Sequence, residues 1–534
     1  MNKVIVTLTI CLLFIGSWSA ILAIRQMTAY SNPKIWYVGP TNPPTYPDFD
    51  SIQKAINNAS VMPGDIIEVM NNNTSPYYEH LYVNKSLTIR KYAGHHPIID
   101  GKGTGTLVSI NASNVVLTGF TIRNAKSGIW VSSCNNCISA NTIWSMSAYG
   151  IFVYGLGNHS IIGNVVQTAD GARGISIESP DNTLKDNSVF GTHCYNFGVD
   201  PRYPYQKIDT SNRINGKPIY YLVNQSDFQI PSDAGYVAIV NSRNITVKNL
   251  NLSYNIQGIL TFNSVNITIE ANTILNNERG IELYSSQYNI IENNTVKNNS
   301  IIGLLLEKFA YDNTIVYNNI EENTCGIGFE ESNGSKIYRN NFINNRVQVY
   351  WVHTTNFFDN GREGNYWSDY YGNDLNKDGV GDAPHPPDYL PLMEPWSVEK
   401  VFNVTRYGKQ YPITTFSNST RARDSVSWNR NQRKISFNLT SGTTENINII
   451  VPRDWLEDPF EIKLGGLPIN PANLSISQDT DNTYISFNYA PGSYMIEIVG
   501  SKVLGYKHGD INNDGKVNIL DCIVLSNNFG SSDE

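Results

Sequence analysis

Two short acidic stretches carry the plainest chemistry in this chain. In Asp510-Ile511-Asn512-Asn513-Asp514-Gly515-Lys516-Val517-Asn518-Ile519-Leu520-Asp521, oxygen-bearing side chains fall at positions 1, 3, 5, 9 and 12, with Gly at 6. That spacing wraps a hard cation: Asp510, Asn512, Asp514, Asn518 and Asp521 offer side-chain oxygens, Lys516 its carbonyl, and Gly515 the sharp bend. Ca²⁺ is the expected ligand. A second stretch sets Asp374, Asn376, Asp378 and Asp382 around Gly379, with Val380 offering a carbonyl, but His385 stands where a carboxylate would close the shell. It reads as a weaker Ca²⁺ loop or as a plain surface turn. Of six cysteines, Cys11 lies in the apolar leader, and Cys134, Cys137, Cys194, Cys325 and Cys522 show no disulfide-framework spacing. Cys134 and Cys137, with two residues between them, form either a turn or a lone metal or redox pair.

The elements that position further chemistry follow from composition and period. The 534 residues are 40% hydrophobic and only 16% charged, with a net charge of -8. No dense Lys/Arg run is present, which argues against a nucleic-acid partner. Asn supplies about one residue in eight. Residues 4–24 are one apolar stretch between Lys3 and Arg25, read as a signal peptide or an N-terminal membrane anchor, the chain's one expected membrane contact. The rest is expected outside the cell or on its surface, in keeping with the glycosylation sequons at Asn58, Asn84, Asn111, Asn244 and Asn266.

Gly followed by an aliphatic residue recurs at Gly128, Gly150, Gly174, Gly258, Gly280, Gly303 and Gly326, in steps of 22 to 24 residues where unbroken. Asn141, Asn164, Asn187, Asn272 and Asn294 march with it. Between these markers lie only short β-branched alternations such as Ile267-Thr268-Ile269, so each unit is strand and turn. Stacked units of this kind make an all-β right-handed parallel β-helix, with aliphatic residues inside and Asn at the corners in left-handed turns or side-chain ladders. The β-helix is expected over 35–383. Ile52, Ala55, Ile56 and Ala59 form a helical stripe suited to plug its open end, and the period breaks at 200–234, an insertion. A Pro-rich linker (384–398), a small β-sandwich (399–500) and the calcium loop with its helix (505–534) follow.

With an inward residue after each Gly, the residues two and four beyond it face outward. One column is Trp130, Phe152, Ser176, Leu260, Glu282, Leu305 and Gly328; the other is Ser132, Tyr154, Glu178, Phe262, Tyr284, Glu307 and Glu330. Rings beside carboxylates suit a glycan, since rings cover the apolar faces of sugars and acids accept hydroxyl hydrogen bonds. Trp130, Phe152, Tyr154, Glu178, Phe262, Glu282 and Tyr284 are the expected contacts. Glu307 and Glu330, one coil apart, are the candidate catalytic pair of a glycoside hydrolase, the alternative being solvated acids on a binding face.

The helix followed by Pro63-Gly64-Asp65, Ile98-Ile99-Asp100-Gly101-Lys102-Gly103, Leu117-Thr118-Gly119-Phe120-Thr121-Ile122-Arg123-Asn124 and Asn365-Tyr366-Trp367-Ser368-Asp369-Tyr370-Tyr371 resemble the NosD-like branch of the carbohydrate-binding and sugar-hydrolase β-helix superfamily. The layout is also similar to that of archaeal surface proteins. The resemblance implies one of three roles: polysaccharide binding, polysaccharide cleavage as a lyase or hydrolase, or copper handling. Copper requires grouped His, Met or Cys donors, and here His95-His96 is the one close pair. Arg202-Tyr203-Pro204-Tyr205-Gln206-Lys207 echoes a pectate-lyase signature without its Asp-His companion. The C-terminal loop resembles half of a type I dockerin, which implies a cohesin-like partner or a second half-module.

Overall fold

The computed structural model describes residues 32–503, apart from 41–46, 73–75, 192, 353, 376–378, 397–398, 407–408, 418–419, 424–426, 430–433, 442–444, 453–455 and 491. The leader 4–24 and the calcium loop 510–521 lie outside the described residues, as do Asn376 and Asp378. Two compact units are present: Met1–Thr314 with Asn319–Ser335 and Asn345–Thr355, and Ile315–Asn318 with Lys336–Asn344 and Asn356–Glu534. No described helix is long and apolar enough to cross a membrane.

The first unit is a parallel β-helix. Ile151 pairs with Ile129 and Ile175, and Ile281 with Ile259 and Leu304, so equivalent residues of successive coils stack in register. The inward column Ile129, Ile151, Ile175, Ile259, Ile281, Leu304 and Ile327 is buried throughout. Its marker glycines serve close approach: a Cβ on Gly280 would lie 2.4 Å from the Gly303 carbonyl oxygen. The helix Ile52–Asn57 buries Ile52, Ala55 and Ile56 under the first coils, held by Glu79, whose carboxylate accepts from Ser51 Oγ and from the Ile52 and Gln53 amides. Ala59, expected in the same stripe, lies beyond the helix and is exposed.

Asparagine plays two separate parts. One set, including Asn124, Asn249 and Asn263, takes left-handed turns with φ of 44 to 56°. The other is buried and laddered: Asn141, Asn164 and Asn187 each donate Nδ2 to the Oδ1 of the next coil's Asn at 2.9 to 3.1 Å, and Asn272 does so to Asn294 at 2.9 Å.

The insertion at 200–234 divides the helix into two stacks. The apolar cluster that begins at Trp36 ends on Ile219, Tyr221, Tyr236, Ala238, Val240 and Leu260. Alternation along Tyr236–Val240 and Gln257–Phe262 puts Tyr236, Ala238, Val240 and Leu260 on the face opposite Val237, Ile239 and Ile259. The second stack therefore lays the outward face of its leading sheet against the end of the first, and that sheet is buried on both sides.

In the second unit, Phe342 stacks on Trp367 (ring centroids 4.3 Å, interplanar angle 8°), and a ladder runs from Asn318 through Asn340 to Asn365. It ends on Asp388, whose Oδ2 accepts from the Asn365 amide (2.6 Å) and Trp367 Nε1 (2.8 Å). Asp388 and Leu392, both within the expected Pro-rich linker, are buried. Burial raises the Asp388 carboxyl from 3.8 to about 6, against the pull of its donors. Since the folded chain holds this proton more tightly, the Asp388 contribution to stability is full below pH 3.8 and is lost as pH rises through about 6. The difference in denaturation midpoint between wild type and Asp388→Asn, measured from pH 3.5 to 7, should change in that window and be flat above it. Further on, two antiparallel sheets share a core of Ile413, Ile447, Ile449, Ile485 and Phe487 against Ile435, Phe437, Leu439, Ile462, Ile496 and Ile498, a β-sandwich.

Candidate functional site

The two outward columns differ in fate. Ser132, Tyr154, Glu178, Phe262, Tyr284, Glu307 and Glu330 are all at least partly exposed. Of the other, Trp130 is half-buried, but Phe152, Ser176, Leu260, Glu282, Leu305 and Gly328 are buried. The expected alternation holds, but six residues of the column that begins at Trp130 are covered. Leu260 is covered because the end of the first stack lies on it, and Phe152 because Trp130 and Tyr149 pack around it with centroids at 4.5 and 4.8 Å. Glu282 is only 1% exposed, so it is not the direct glycan contact expected of it.

Two ring platforms remain. On the first stack, Trp130, Tyr149, Phe152 and Tyr154 make one cluster, with Phe152 and Tyr154 stacked at 5.6 Å. On the second, Phe262 and Tyr284 are register partners stacked at 5.5 Å and 17°, and the insertion's Tyr205 meets the Phe262 edge at 6.1 Å. Tyr284 then pairs with Glu307, and Glu307 with Glu330. One strip thus reads ring, ring, acid, acid on four successive coils.

Charged groups collect where the stacks meet. Arg173 of the first stack grips Glu278 of the second through Nε at 2.7 Å and Nη2 at 2.6 Å. Tyr195 donates to Ser300 Oγ across the same junction at 2.7 Å. At the mouth of the insertion Asp200 takes a two-toothed grip from Arg202, with Nε to Oδ1 at 2.9 Å. Burial pushes the Asp200 carboxyl up, but these charged hydrogen bonds outweigh it and hold the carboxyl low. Glu178 is shifted the other way by burial and by the nearby Asp200. Glu282 is raised by burial, although Arg279 Nη1 lies 3.8 Å from its Oε2. Burial, and then the Glu282 charge, raise Glu307 to about 7.

Asp200, Arg173, Glu278 and Arg279 are not among the residues expected from the sequence, and Arg202 enters there only in the incomplete pectate-lyase echo. A signal existed: Arg173 and Arg279 each stand directly before a marker glycine. Of the internal acidic loop, Asp374 Oδ2 accepts the Gly379 amide at 2.9 Å and Asp382 Oδ2 the Leu375 amide at 2.7 Å, while Val380 is buried.

A parallel β-helix with rings and acids along its outer strip defines the class. The family model described as periplasmic copper-binding protein (NosD) matches residues 51–201 and 209–372, more than half of the chain, and the chain belongs to that family. It is 42% identical over 79 residues to the probable ABC transporter binding protein NosD of Stutzerimonas stutzeri, covering 14% of this chain and 18% of that protein. It is 37% identical over 108 residues to a cell surface glycoprotein of Methanothermus fervidus, covering 20% and 18%. The chain thus spans under a fifth of the length of these curated relatives. Among solved structures, the Azotobacter vinelandii mannuronan C-5 epimerase AlgE6 A-module is similar over 61% of this chain and 89% of its own, with 15% identity and a TM-score of 0.26.

The family description raises copper, and the donor set among the described residues does not fit it. Among the described residues no group of three His, Cys, Asp or Glu side chains could hold a metal ion. His80 Nδ1 is hydrogen-bonded to the Thr106 carbonyl, and His95 and His159 accept main-chain amides.

Proposed function

We propose that this protein binds polysaccharide at a cell surface through the outer strip of its β-helix. The observation that carries this reading is the stacked Phe262–Tyr284 pair, continued in register by Glu307 and Glu330. Strands ~4.8 Å apart make the four-coil strip about 14 Å long, room for roughly three sugar rings. Rings stack on the apolar faces of pyranoses, and the acids accept from their hydroxyls. The Trp130 cluster is a second platform of the same kind. A surface location accords with the similarity to an archaeal cell surface glycoprotein and with the apolar leader. The C-terminal loop 510–521 is proposed to take Ca²⁺ and to serve attachment.

A glycan array probed with the intact chain, followed by calorimetry on the best ligand, tests the reading. Tyr284→Ala should weaken binding at least about tenfold, the loss of one ring contact. Absence of any bound glycan, or unchanged affinity in Tyr284→Ala and Tyr154→Ala alike, would overturn it. Repeating the array with a chelator should leave strip binding intact.

A further inference from the structure

We propose that the acid half of the strip is a glycoside-hydrolysing site for an uncharged pyranose polysaccharide, with Glu307 as proton donor and Glu330 as the second carboxylate. This rests on the glycan-binding reading and goes beyond it to turnover. Glu307 and Glu330 are register partners on adjacent strands, Ile302–Glu307 and Cys325–Glu330, and both side chains are partly exposed. Side chains projecting in parallel from strands ~4.8 Å apart come close to the roughly 5 to 5.5 Å carboxyl spacing of retaining glycosidases. Tyr284, the register partner of Glu307 on the other side, would hold the sugar next to the bond that breaks.

A separate feature points to proton transfer here. Glu282 lies buried beside the strip, two residues before Tyr284 on the same strand face; its Oε2 is 3.8 Å from Arg279 Nη1 but has no hydrogen-bond partner, nor has Arg279 Nε. Burial raises the Glu307 carboxyl most, and of the charges acting on it Glu282, one coil away on the same face, contributes most. With burial it leaves Glu307 at about 7, where a carboxyl can act as an acid near neutrality.

The substrate class follows from how the cations are engaged. Arg173 is locked to Glu278, Arg202 to Asp200, and Lys308 to Glu331 at 3.0 Å, while Arg279 lies against Glu282. Glu178, Asp200, Glu307 and Glu330 leave the surroundings rich in acid. A uronate or sulfated polymer would be repelled, and a neutral hexose polymer would not.

The step balances with water as co-substrate. Glu307 gives its proton to the glycosidic oxygen as the bond from that oxygen to C1 breaks, and a Glu330 oxygen bonds to C1. Water then attacks C1 and gives a proton to Glu307, and the bond to Glu330 breaks. One glycosidic bond and one water become a new reducing end and a new hydroxyl, with both glutamates restored.

The test incubates the intact chain with neutral glucans, mannans and galactans and with alginate and polygalacturonate, measuring binding and new reducing ends in parallel. Wild type should release reducing ends from a neutral polymer, with retained anomeric configuration by NMR. Glu307→Gln and Glu330→Gln should each lose roughly 10³-fold in turnover while still binding. Glu307 is faced by Glu282, Arg279, Glu330, Lys308 and Tyr284. Glu282→Gln, which removes one of those negative charges, should move the alkaline limb of the pH–rate profile to lower pH, a shift that loss of packing would not produce. Binding without release of reducing ends overturns this proposal and leaves glycan binding standing. Cleavage of uronate polymers alone overturns the substrate class, and failure to bind any polymer overturns both readings.

Discussion

Asn272→Leu should destabilise the β-helix by on the order of 3 kcal/mol or more, although Leu matches Asn closely in size and suits a core. Asn272 is fully enclosed: its Oδ1 accepts the Leu250 amide at 3.0 Å, and its Nδ2 donates to the Val247 carbonyl and to Asn294 Oδ1, both at 2.9 Å. Leucine leaves the Leu250 amide buried and unmet, at about 1 to 3 kcal/mol, and takes a donor each from the Val247 carbonyl and from Asn294 Oδ1. Asn263→Gly is the contrasting case. Asn263 is exposed with φ of 44°, a conformation Gly adopts freely, so little change is expected. Hydrogen exchange at the Leu250 amide, with the denaturation midpoint, distinguishes the two. Equal effects in both variants would mean that the ladder contributes no more than the turns do.

Arg173→Met should cost about 3 kcal/mol and should also weaken glycan binding at a distance. The Arg173–Glu278 grip has two charged hydrogen bonds, and Glu278 is 5% exposed, so removing the cation strands a buried carboxylate. The pair joins residues 105 apart in sequence, on either side of the insertion. Its loss frees the junction at Glu278, on the coil whose strand Arg279–Tyr284 follows directly. Arg173→Met with Glu278→Leu should recover much of the stability, because no charge is then left behind. A double-mutant cycle by chemical denaturation gives the coupling, and calorimetry on the ligand found by the array shows whether binding follows it. Additive single effects would mean that the grip is incidental.

How far the fold could be read beforehand depended on how local its cause was. Gly280 marks a coil because the next coil's carbonyl passes too close for a side chain, and that demand recurs once per coil. The laddered and left-handed asparagines recur for equally local reasons, and so the parallel β-helix was legible in the chain. The strands of the sandwich were legible by alternation for the same reason: Ile435, Phe437 and Leu439 are buried with exposed Asn438 among them. The division into two stacks was not. Leu260 and Glu282 alternate outward like any surface residue, yet both are buried, Leu260 by long-range contact with the apolar cluster of the first stack. The same long-range contact brings Arg173, Asp200 and Arg279 together, so the charged corner left no periodic trace, whereas the strip Phe262, Tyr284, Glu307, Glu330 did.

The strip holds one position per coil, and coils repeat every 22 to 24 residues. Duplicating one coil between Tyr284 and Glu307 would therefore add a single step of about 4.8 Å to the platform and leave the Arg173–Glu278 clasp where it is. Chain length in this region works as a ruler graduated in whole turns, on which the length of the ring-and-acid strip can change by gene duplication without redesign of either end.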